Sequence, residues 1–403
     1  MSQVARLFLD YVRFETTSRE DSDAFPSTET QLVLLRHLLA QLEEMGLSAS
    51  MDEYGYVTAT LPSNRQGQQP TMCLLAHVDT SPAVSGRDVR ARVVAYAGGD
   101  IPLGDGYVLS PDQYPELLSY VGQHLIVTDG TTLLGADDKA GVAEIMACLS
   151  YLLSHPEIAR PNLKVAFTPD EEIGMGTAHF DVEAFGADFG YTVDGGKLGE
   201  INYECFNAAE CRVHIVGKSI HPGDGYGKMV NAIDVFADFH RALPEDERPA
   251  TTYGYKGFYM AEEVTGNVEA VDAKYILRDH DAAILEEKKA WVTAVAAGLN
   301  ARYGEGTVQL EIKDQYRNMR FAVEAHPELV ANARAAFSAV GVTPFVTPIR
   351  GGTDGAALTL RGLPCFNLST GGHNYHGRYE YIPQESMEKM VDVLVHLVQS
   401  FAV

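Results

Sequence analysis

The chain has 403 residues, of which 46% are hydrophobic, a length and composition typical of a globular protein with two domains. Its 55 acidic and 31 basic residues give a formal net charge of −24 at pH 7. This charge repels nucleic acid phosphates and anionic lipid surfaces, so we exclude nucleic acid and membranes as partners.

The five cysteines are scattered along the chain, and no two of them form a Cys-x-x-Cys pair. This usage is typical of reduced thiols rather than of a disulfide framework. The first twenty residues lack the apolar core of a signal peptide, and no stretch approaches the ~20 apolar residues of a membrane span. We therefore expect a cytoplasmic protein.

The first half of the chain alternates short apolar runs with stretches of helical spacing. The spacing predicts helices over residues 4–14, 29–45 and 139–153, and the apolar runs predict buried strands over residues 71–77, 163–168 and 189–193. Strands that alternate with helices in this way favour an α/β sheet covered by helices on both faces.

From about Asn207 the pattern changes to β-α-β-β-α-β, the order of a small ferredoxin-like domain. The predicted elements are a strand at 211–216, a helix at 230–243, strands near 258–265 and 273–278, a helix at 282–303 and a strand at 308–313. An α/β pattern then returns, with a helix at 327–340, a strand near 365–368 and a closing helix at 386–401. We therefore predict a larger α/β domain (1–206 and 315–403) with an α+β domain (207–314) inserted in it.

Five polar segments are predicted at strand ends, where open α/β sheets place their ligands. In the first, AHVDTSP, His77 has an imidazole that can bind a metal, and Asp79 can orient that imidazole. A lone histidine at a strand end is more often a structural group, so this segment leaves both interpretations open.

The next three segments supply carboxylates. In LGADDKAG, Asp138 fits the cap of the following helix, whereas Asp137 is free to bridge two cations. In FTPDEEIG, three consecutive acids repel one another unless a cation or a proton offsets them, although an exposed acidic turn explains them equally well. In TVDGG, Asp194 ends an apolar run, but Asp-Gly-Gly is also an ordinary turn.

The fifth segment combines IRGGTDG with GGHNYHGRYE. Its glycines let the backbone approach a ligand closely, and Arg350 offers a bidentate partner for a substrate carboxylate. His373, His376 and Glu380 add two imidazoles and an acid to the supply of ligands.

Taken together, these segments predict a metal centre rather than five unrelated turns. The candidate ligands are His77, Asp137, Glu172, Asp194 and His376. Imidazole and carboxylate suit zinc, manganese or cobalt, and the lack of cysteine ligands argues against a structural zinc site. Five ligands are too many for one zinc with an open position, and they suit two ions ~3.5–4 Å apart that share a bridging carboxylate.

These motifs, in this order, resemble the two-zinc metallopeptidase family that includes glutamate carboxypeptidase, aminoacylase and succinyl-diaminopimelate desuccinylase, and within it the branch of tripeptide aminopeptidases. The resemblance covers nearly the whole chain, including HPG at His221 and MVNA at Met229 in the insert. It implies a two-zinc exopeptidase-type α/β catalytic domain with an inserted ferredoxin-like α+β lid domain. It also implies two zinc ions per chain, with cobalt or manganese as substitutes, and it allows a homodimer because insert-to-insert dimers occur in the wider family.

The resemblance implies a role for each candidate residue. By position, it makes His77 and Asp194 ligands of one zinc, Glu172 and His376 ligands of the other, and Asp137 the bridge. It makes Glu171 the general base and Asp79 the active-site aspartate that supports the first histidine, and it implies a cis peptide bond between Asp137 and Asp138. In the insert and the last segment, it points to His221, Asn231, Arg278 and Arg350 as substrate-binding residues, with His221 on the tetrahedral oxyanion. A plain surface role is the alternative for His221 and the two arginines.

Two departures from the family pattern affect these expectations. His373 stands where a tyrosine is more usual, so we assign His376, four residues before Glu380, as the ligand. The loop at 224–228 lacks the Ala-Lys pair that we would expect after HPG, which leaves the preference for peptide length open.

The function that the resemblance implies is removal of the N-terminal residue from short peptides, chiefly tripeptides, by a metal-activated water with Glu171 as base. A dipeptidase or an N-acyl amino acid deacylase of the same family is the nearest alternative. A homologue that only binds peptides is disfavoured because Glu171 and the ligand set are complete. A metal store is disfavoured because the ligands occur singly at strand ends rather than in clusters.

Overall fold

The computed structural model describes residues 1–403 as seventeen β-strands and ten α-helices. The strands are β1 (Ser48–Met51), β2 (Val57–Leu61), β3 (Thr71–His77), β4 (Arg92–Ala95), β5 (Ile101–Gly104), β6 (Tyr107–Leu109), β7 (His124–Val127), β8 (Asn162–Thr168), β9 (Phe189–Gly195), β10 (Glu200–Asn202), β11 (Asn207–Val216), β12 (Phe258–Gly266), β13 (Ala270–Asp279), β14 (Val308–Tyr316), β15 (Phe345–Val346), β16 (Cys365–Ser369) and β17 (Tyr381–Pro383). The helices are α1 (Gln3–Tyr11), α2 (Gln31–Glu44), α3 (Ala136–Ser154), α4 (Val182–Phe185), α5 (Ala232–Ala242), α6 (Ala282–Tyr303), α7 (Arg320–Glu324), α8 (Pro327–Ala339), α9 (Asp354–Leu360) and α10 (Gln384–Ser400). None of these helices combines the length and the apolar character that a bilayer span requires.

The chain forms two compact units. The first consists of Met1–Tyr203, Phe321–Thr347 and Thr353–Val403, and the second consists of Glu204–Arg320 and Pro348–Gly352. The second unit thus includes five residues around Arg350 that the sequence analysis assigned to the larger domain.

The first unit is built on an eight-stranded sheet of order β1-β2-β8-β3-β9-β16-β10-β15. Its four central strands, β8, β3, β9 and β16, run parallel, so their carboxyl ends lie at one edge of the sheet. They are buried almost throughout, as expected for parallel strands covered on both faces. The predicted α/β fold of this part is therefore confirmed.

Helix α3 lies directly against the central strands β3 and β9. This approach depends on Gly141, because a Cβ atom there would collide with the backbone carbonyl of Val193 at the end of β9. The regular helix begins only after Asp138, since Asp137 and Asp138 have non-helical backbone angles. The start of α3 is thus held at the same sheet edge as the strand ends.

The second unit is a four-stranded antiparallel sheet of order β12-β13-β11-β14. Burial alternates along β11, so that Cys211, Val213 and Ile215 face the core and Arg212 and His214 face away from it. Helices α5 and α6 pack on the core face. This is the predicted ferredoxin-like arrangement.

Several short strands of the first unit were not predicted. They form a three-stranded sheet, β17-β7-β4, and a hairpin, β5-β6, and each has only three or four residues. Apolar periodicity is too short to be recognised over such lengths, and β5 also contains a proline.

Candidate metal centre and active site

The parallel strands bring the predicted motifs to one edge of the sheet. His77 is the last residue of β3 and pairs with Thr168, the last residue of β8. Glu171 and Glu172 follow β8 in a short 3₁₀ turn, and Asp194 is the next-to-last residue of β9. Residues more than a hundred positions apart in the chain, such as His77 and Asp194, therefore lie close together, because the carboxyl ends of parallel strands lie at the same edge of the sheet.

Five of the predicted residues form two overlapping groups with metal-ligand spacing. One contains His77, Asp137 and Asp194, and the other contains Asp137, Glu172 and His376, with the ligand atoms of each group within 4.8 Å of one another. The Nε2 atom of His77 lies 3.1 Å from Asp137 Oδ1, and the Nε2 atom of His376 lies 3.0 Å from Asp137 Oδ2. Each oxygen of Asp137 therefore faces a different group.

The remaining distances complete the two groups. His77 Nε2 lies 3.4 Å from Asp194 Oδ1, and His376 Nε2 lies 2.9 Å from Glu172 Oε2. The other oxygen of Glu172, Oε1, is buried without a hydrogen-bond partner. A buried carboxylate oxygen is costly unless a donor or a cation contacts it.

The carboxylate of Glu380 holds Asp137 in position. It accepts hydrogen bonds from the backbone N–H groups of Leu134 (2.7 Å), Gly135 (2.9 Å) and Asp137 (3.1 Å), and it is fully buried. The Asp137–Asp138 peptide bond is cis, as expected. Asp138 accepts from the N–H of Gly141 in the first turn of α3, which agrees with its predicted capping role.

Asp79 connects the first histidine to the acidic turn. The Nδ1 atom of His77 lies 3.1 Å from the backbone carbonyl oxygen of Asp79 and 3.3 Å from its Oδ1 atom, so the other ring nitrogen of His77 faces the ligand group. The same carboxylate accepts the backbone N–H groups of Glu171 (3.0 Å) and Glu172 (3.2 Å). Asp79 thus orients both His77 and the turn that carries the two glutamates.

The carboxylates in this small volume disturb one another's titration. Burial raises the pKa of Glu171 well above its ordinary value, and it raises the pKa of Glu172 and of Asp194 to about 7. Hydrogen bonds to Asp137 and Glu172 raise the pKa of His376 to about 10. Burial lowers the pKa of His77, but the surrounding carboxylates outweigh it and raise that pKa well above its usual range.

No lysine or arginine pairs with these acids, whose only ion-pair partners are His77 and His376. A site with excess carboxylate, two imidazoles, no thiolate and one unpartnered buried oxygen fits divalent cations. Because protons and cations compete for the same atoms, metal affinity should rise with pH.

His373 lies outside both groups. Its Nε2 atom is 2.7 Å from the hydroxyl of Tyr120, and its ring stacks on Tyr381 at 4.7 Å between centroids. Burial lowers its pKa to about 4, so the ring is neutral at physiological pH. It has the environment of a packed core histidine.

Four predicted substrate-binding residues lie in the second unit, two of them near helix or turn starts. His221 is exposed, and its Nδ1 accepts the N–H of Gly223. Asn231 caps α5 by accepting the N–H of Ile233. Neither contact tests a role in substrate binding, so both assignments stay predictions.

The two predicted arginines are held more firmly. Arg278 donates to the carbonyl of Ala209 and lies over the ring of Tyr316. The guanidinium of Arg350 is enclosed by its own unit; it donates to the carbonyls of Gly254 and Lys256 and to the hydroxyl of Thr252, and it lies over the rings of Phe206 and Phe258. Their carboxylate-binding roles also stay predictions.

Two buried residues beside the metal-ligand groups were given no role from the sequence. Lys139 donates to the carbonyl of Phe14, and burial lowers its pKa to about 7. Asp170, the first acid of the DEE triplet, is buried and bonded to Ser27 and Gln31. Their partners lie more than a hundred residues earlier in the chain, so no local pattern indicates the contacts.

A cavity of about 550 Å³ opens beside the second ligand group. It is lined by Glu172 and His376, by residues 81–83 and by residues 19–21 of the N-terminal loop. A cavity of about 610 Å³ lies on the open face of the second unit's sheet, but most of its charged side chains have ion-pair partners, as His214 has in Asp272. The cavity beside the second ligand group differs in that two candidate metal ligands, Glu172 and His376, line it.

The chain is similar to known proteins in both sequence and fold. A model of Peptidase family M20/M25/M40 matches residues 129–400. Peptidase T of Caldanaerobacter subterraneus subsp. tengcongensis is 51% identical over 405 residues, which cover 100% of this chain and 99% of that protein. The solved structure of aminopeptidase PepT from Bacillus cereus ATCC 10987 has a TM-score of 0.78 at 23% identity and covers 100% of this chain and 98% of its own. The Bacillus subtilis YXEP protein, a dinuclear metal-binding peptidase from the M20 family, has a TM-score of 0.65 at 14% identity, with coverage of 99% and 97%.

Proposed function

The chain belongs to Peptidase family M20/M25/M40, and on this premise we propose that it is a two-metal aminopeptidase that removes the N-terminal residue from short peptides, chiefly tripeptides. The observation that carries the proposal is the pair of ligand groups that share Asp137. The full-length identity with peptidase T supports the choice of an aminopeptidase within the family.

Of two proposed zinc ions, one would be held by His77 and Asp194 and the other by Glu172 and His376, and Asp137 would be shared by both. Cobalt and manganese accept the same ligand types. When bound, such ions lower the pKa of water and stabilise negative charge on a carbonyl oxygen.

The chain's own residues account for the proton transfers. Glu171 is held by the bond from its N–H to Asp79, and burial makes its carboxylate a stronger base than an exposed glutamate. It accepts a proton from the water that attacks the peptide carbonyl, and it returns a proton to the leaving amine. Asp79 keeps both this turn and His77 in orientation without contacting the substrate.

The substrate is a short peptide with a free amine. The cavity beside Glu172 and His376 has room for a few residues. Glu20 on its wall is an acceptor of the kind that an ammonium group requires, whereas Asp21 already pairs with Arg19 at 3.0 Å. We keep His221, Asn231, Arg278 and Arg350 as proposed substrate-binding residues, with His221 on the oxyanion and the arginines on the substrate carboxylate.

A mixed set of di-, tri- and tetrapeptides with N-acetylated counterparts tests the proposal directly. The purified protein, loaded with zinc, is incubated with the set and the products are identified by mass spectrometry. We expect tripeptides with free amines to lose their first residue and acetylated ones to remain. Preferential cleavage of acetylated substrates would instead identify an N-acyl amino acid deacylase, and cleavage of dipeptides alone would identify a dipeptidase.

The cellular location and the oligomeric state of the protein are also proposed. All five cysteines are buried and free, which supports a reducing, cytoplasmic location. A homodimer through the second unit stays a prediction from the family resemblance, and sedimentation equilibrium of the purified protein would test it.

A further inference from the structure

Asp170 lies directly before Glu171, yet it belongs to neither ligand group. Its side chain is fully buried, and its carboxylate accepts three hydrogen bonds. The N–H of Ser27 donates to Oδ2, while the hydroxyl of Ser27 and the Nε2 of Gln31 donate to Oδ1, the last at 2.7 Å. All three of these hydrogen bonds therefore come from the N-terminal part of the chain.

Gln31 binds Asp170 in two directions. Its Nε2 donates to the side chain of Asp170, and its Oε1 accepts the backbone N–H of Asp170 at 3.1 Å. Gln31 is itself fully buried as the first residue of α2. The amide cannot flip without placing a donor against the N–H of Asp170, so its orientation is fixed by both contacts.

We call these contacts of Asp170 with Ser27 and Gln31 the Asp170 clamp. The backbone conformation at Asp170 explains why the clamp is present. Asp170 has a φ of 59°, in the left-handed region that favours glycine. This conformation turns the chain from the end of β8 into the 3₁₀ turn Glu171–Ile173. A side chain held by three donors keeps a non-glycine residue there, and so sets the direction in which Glu171 leaves the strand.

The clamp also reaches the cavity. Residues 19–21 line the cavity beside Glu172, and the loop that contains them is fixed at both ends. At one end the N–H of Ser18 donates to the carbonyl of Thr80 (3.1 Å), next to Asp79, and at the other end Ser27 binds Asp170. The contact between Ser27 and Asp170 therefore fixes both the loop that lines the cavity and the turn that carries Glu171 and Glu172.

We propose that Asp170, together with Ser27 and Gln31, is a positioning residue for the general base Glu171. The inference rests on the proposed function, because it assigns Asp170 to the proton-transfer machinery of that same site. Asp79 holds the Glu171 turn from the side of His77, and the Asp170 clamp holds it from the side of the N-terminal loop.

A swap of hydrogen-bonding groups tests the clamp. In Asp170→Asn, the introduced amide cannot accept from Gln31 Nε2 and from both groups of Ser27, so a donor faces a donor. In Gln31→Glu, the introduced carboxylate still accepts the N–H of Asp170 but places an acceptor against Oδ1 of Asp170. In the double variant, the introduced amide donates to the introduced carboxylate, so the bond between positions 170 and 31 is restored, while the bond from Gln31 Nε2 to the Thr28 hydroxyl (3.1 Å) is lost.

Steady-state kinetics on a tripeptide are measured for the zinc-loaded variants, together with metal content and circular dichroism to count folded molecules. We expect each single variant to lose roughly 10- to 100-fold in kcat, since a misplacement of about 1 Å costs on that order. KM and metal content should stay close to those of the unmodified protein, and the double variant should regain most of kcat. Asp52→Asn is the matched control, because Asp52 accepts two backbone N–H groups in the turn before β2 but lies away from the ligand groups.

Unchanged kcat per folded molecule in the single variants would overturn the inference, as would a folded, metal-loaded double variant that stays as slow as the singles. If Asp170→Asn does not fold, Gln31→Ala removes the amide alone, and a normal kcat in that variant also overturns it. Failure of the proposed function is a separate result, since the unmodified protein would then not remove the first residue of a tripeptide with a free amine.

Discussion

Glu380→Gln should weaken metal binding without removing any predicted ligand. The carboxylate of Glu380 accepts the N–H groups of Leu134 and Gly135 on one oxygen and the N–H of Asp137 on the other. A glutamine can keep the oxygen that serves two donors, but its amide nitrogen then faces the N–H of Asp137. The residue shared by both ligand groups thus loses its backbone anchor.

The size of the effect follows from these bonds. Losing one hydrogen bond to a charged acceptor and leaving a buried N–H unpaired should lower the free energy of unfolding by roughly 2–4 kcal/mol. Residues that orient metal ligands typically change metal affinity by about 10- to 100-fold. Burial raises the pKa of Glu380 to about 7, against the opposing effect of its N–H donors, so the comparison belongs at pH 8, where the carboxylate is charged.

Competition with a chelating indicator measures zinc affinity, and urea unfolding measures stability. Glu385→Gln is the matched control, because Glu385 also accepts a backbone N–H, from His124, but at a half-exposed site. We expect the control to bind zinc as the unmodified protein does. If Glu380→Gln binds zinc with unchanged affinity at pH 8, our account of how Asp137 is positioned is wrong.

Three further predictions concern single residues. His376→Ala should lose metal and at least ~10²-fold in turnover. His373→Ala removes only the hydrogen bond to Tyr120 and the stacking on Tyr381, so it should keep its metal. The reverse pattern in metal analysis would show that the wrong histidine was assigned. Glu171→Gln should retain metal and lose ~10²- to 10⁴-fold in kcat, and a fully loaded variant with normal turnover would remove Glu171 from the role of base. Glu144 is buried with neither oxygen hydrogen-bonded, and burial raises its pKa well above 4.5, so its charge costs stability increasingly as pH rises above the value of the unfolded chain. The unfolding free energy of Glu144→Gln minus that of the unmodified protein should therefore be larger at pH 8 than at pH 5. An equal difference at both pH values would contradict this prediction.

The parts of the fold that the sequence predicted well have strong periodicity. Strand β3 was predicted with its observed limits because it is a continuous apolar run, and helix α6 was predicted with its observed limits because it extends over 22 residues. The three- and four-residue strands around β7 offered no comparable signal. The five residues Pro348–Gly352 join the second unit through contacts such as those of Arg350, which no local pattern reports.

The candidate site also contains residues that the sequence predicted and residues that it did not. The ligand candidates could be found because they belong to polar segments near the ends of apolar runs, and strand ends meet in a parallel sheet. The residues that position them could not, because a contact such as Asp170 with Ser27 spans 143 positions. Asp170 was visible only as one of three consecutive acids, and the repulsion argument applied to all three alike.

The most direct test of the account is the number of metal ions that the chain binds. Metal-free protein is dialysed against zinc at pH 8, and bound metal is counted by plasma mass spectrometry for the unmodified chain and for Asp137→Ala. We predict two ions per unmodified chain and weakened binding of both ions in the variant, because Asp137 belongs to both ligand groups. Saturation at one ion per chain, or two ions held by Asp137→Ala with unchanged affinity, would contradict the shared-carboxylate centre.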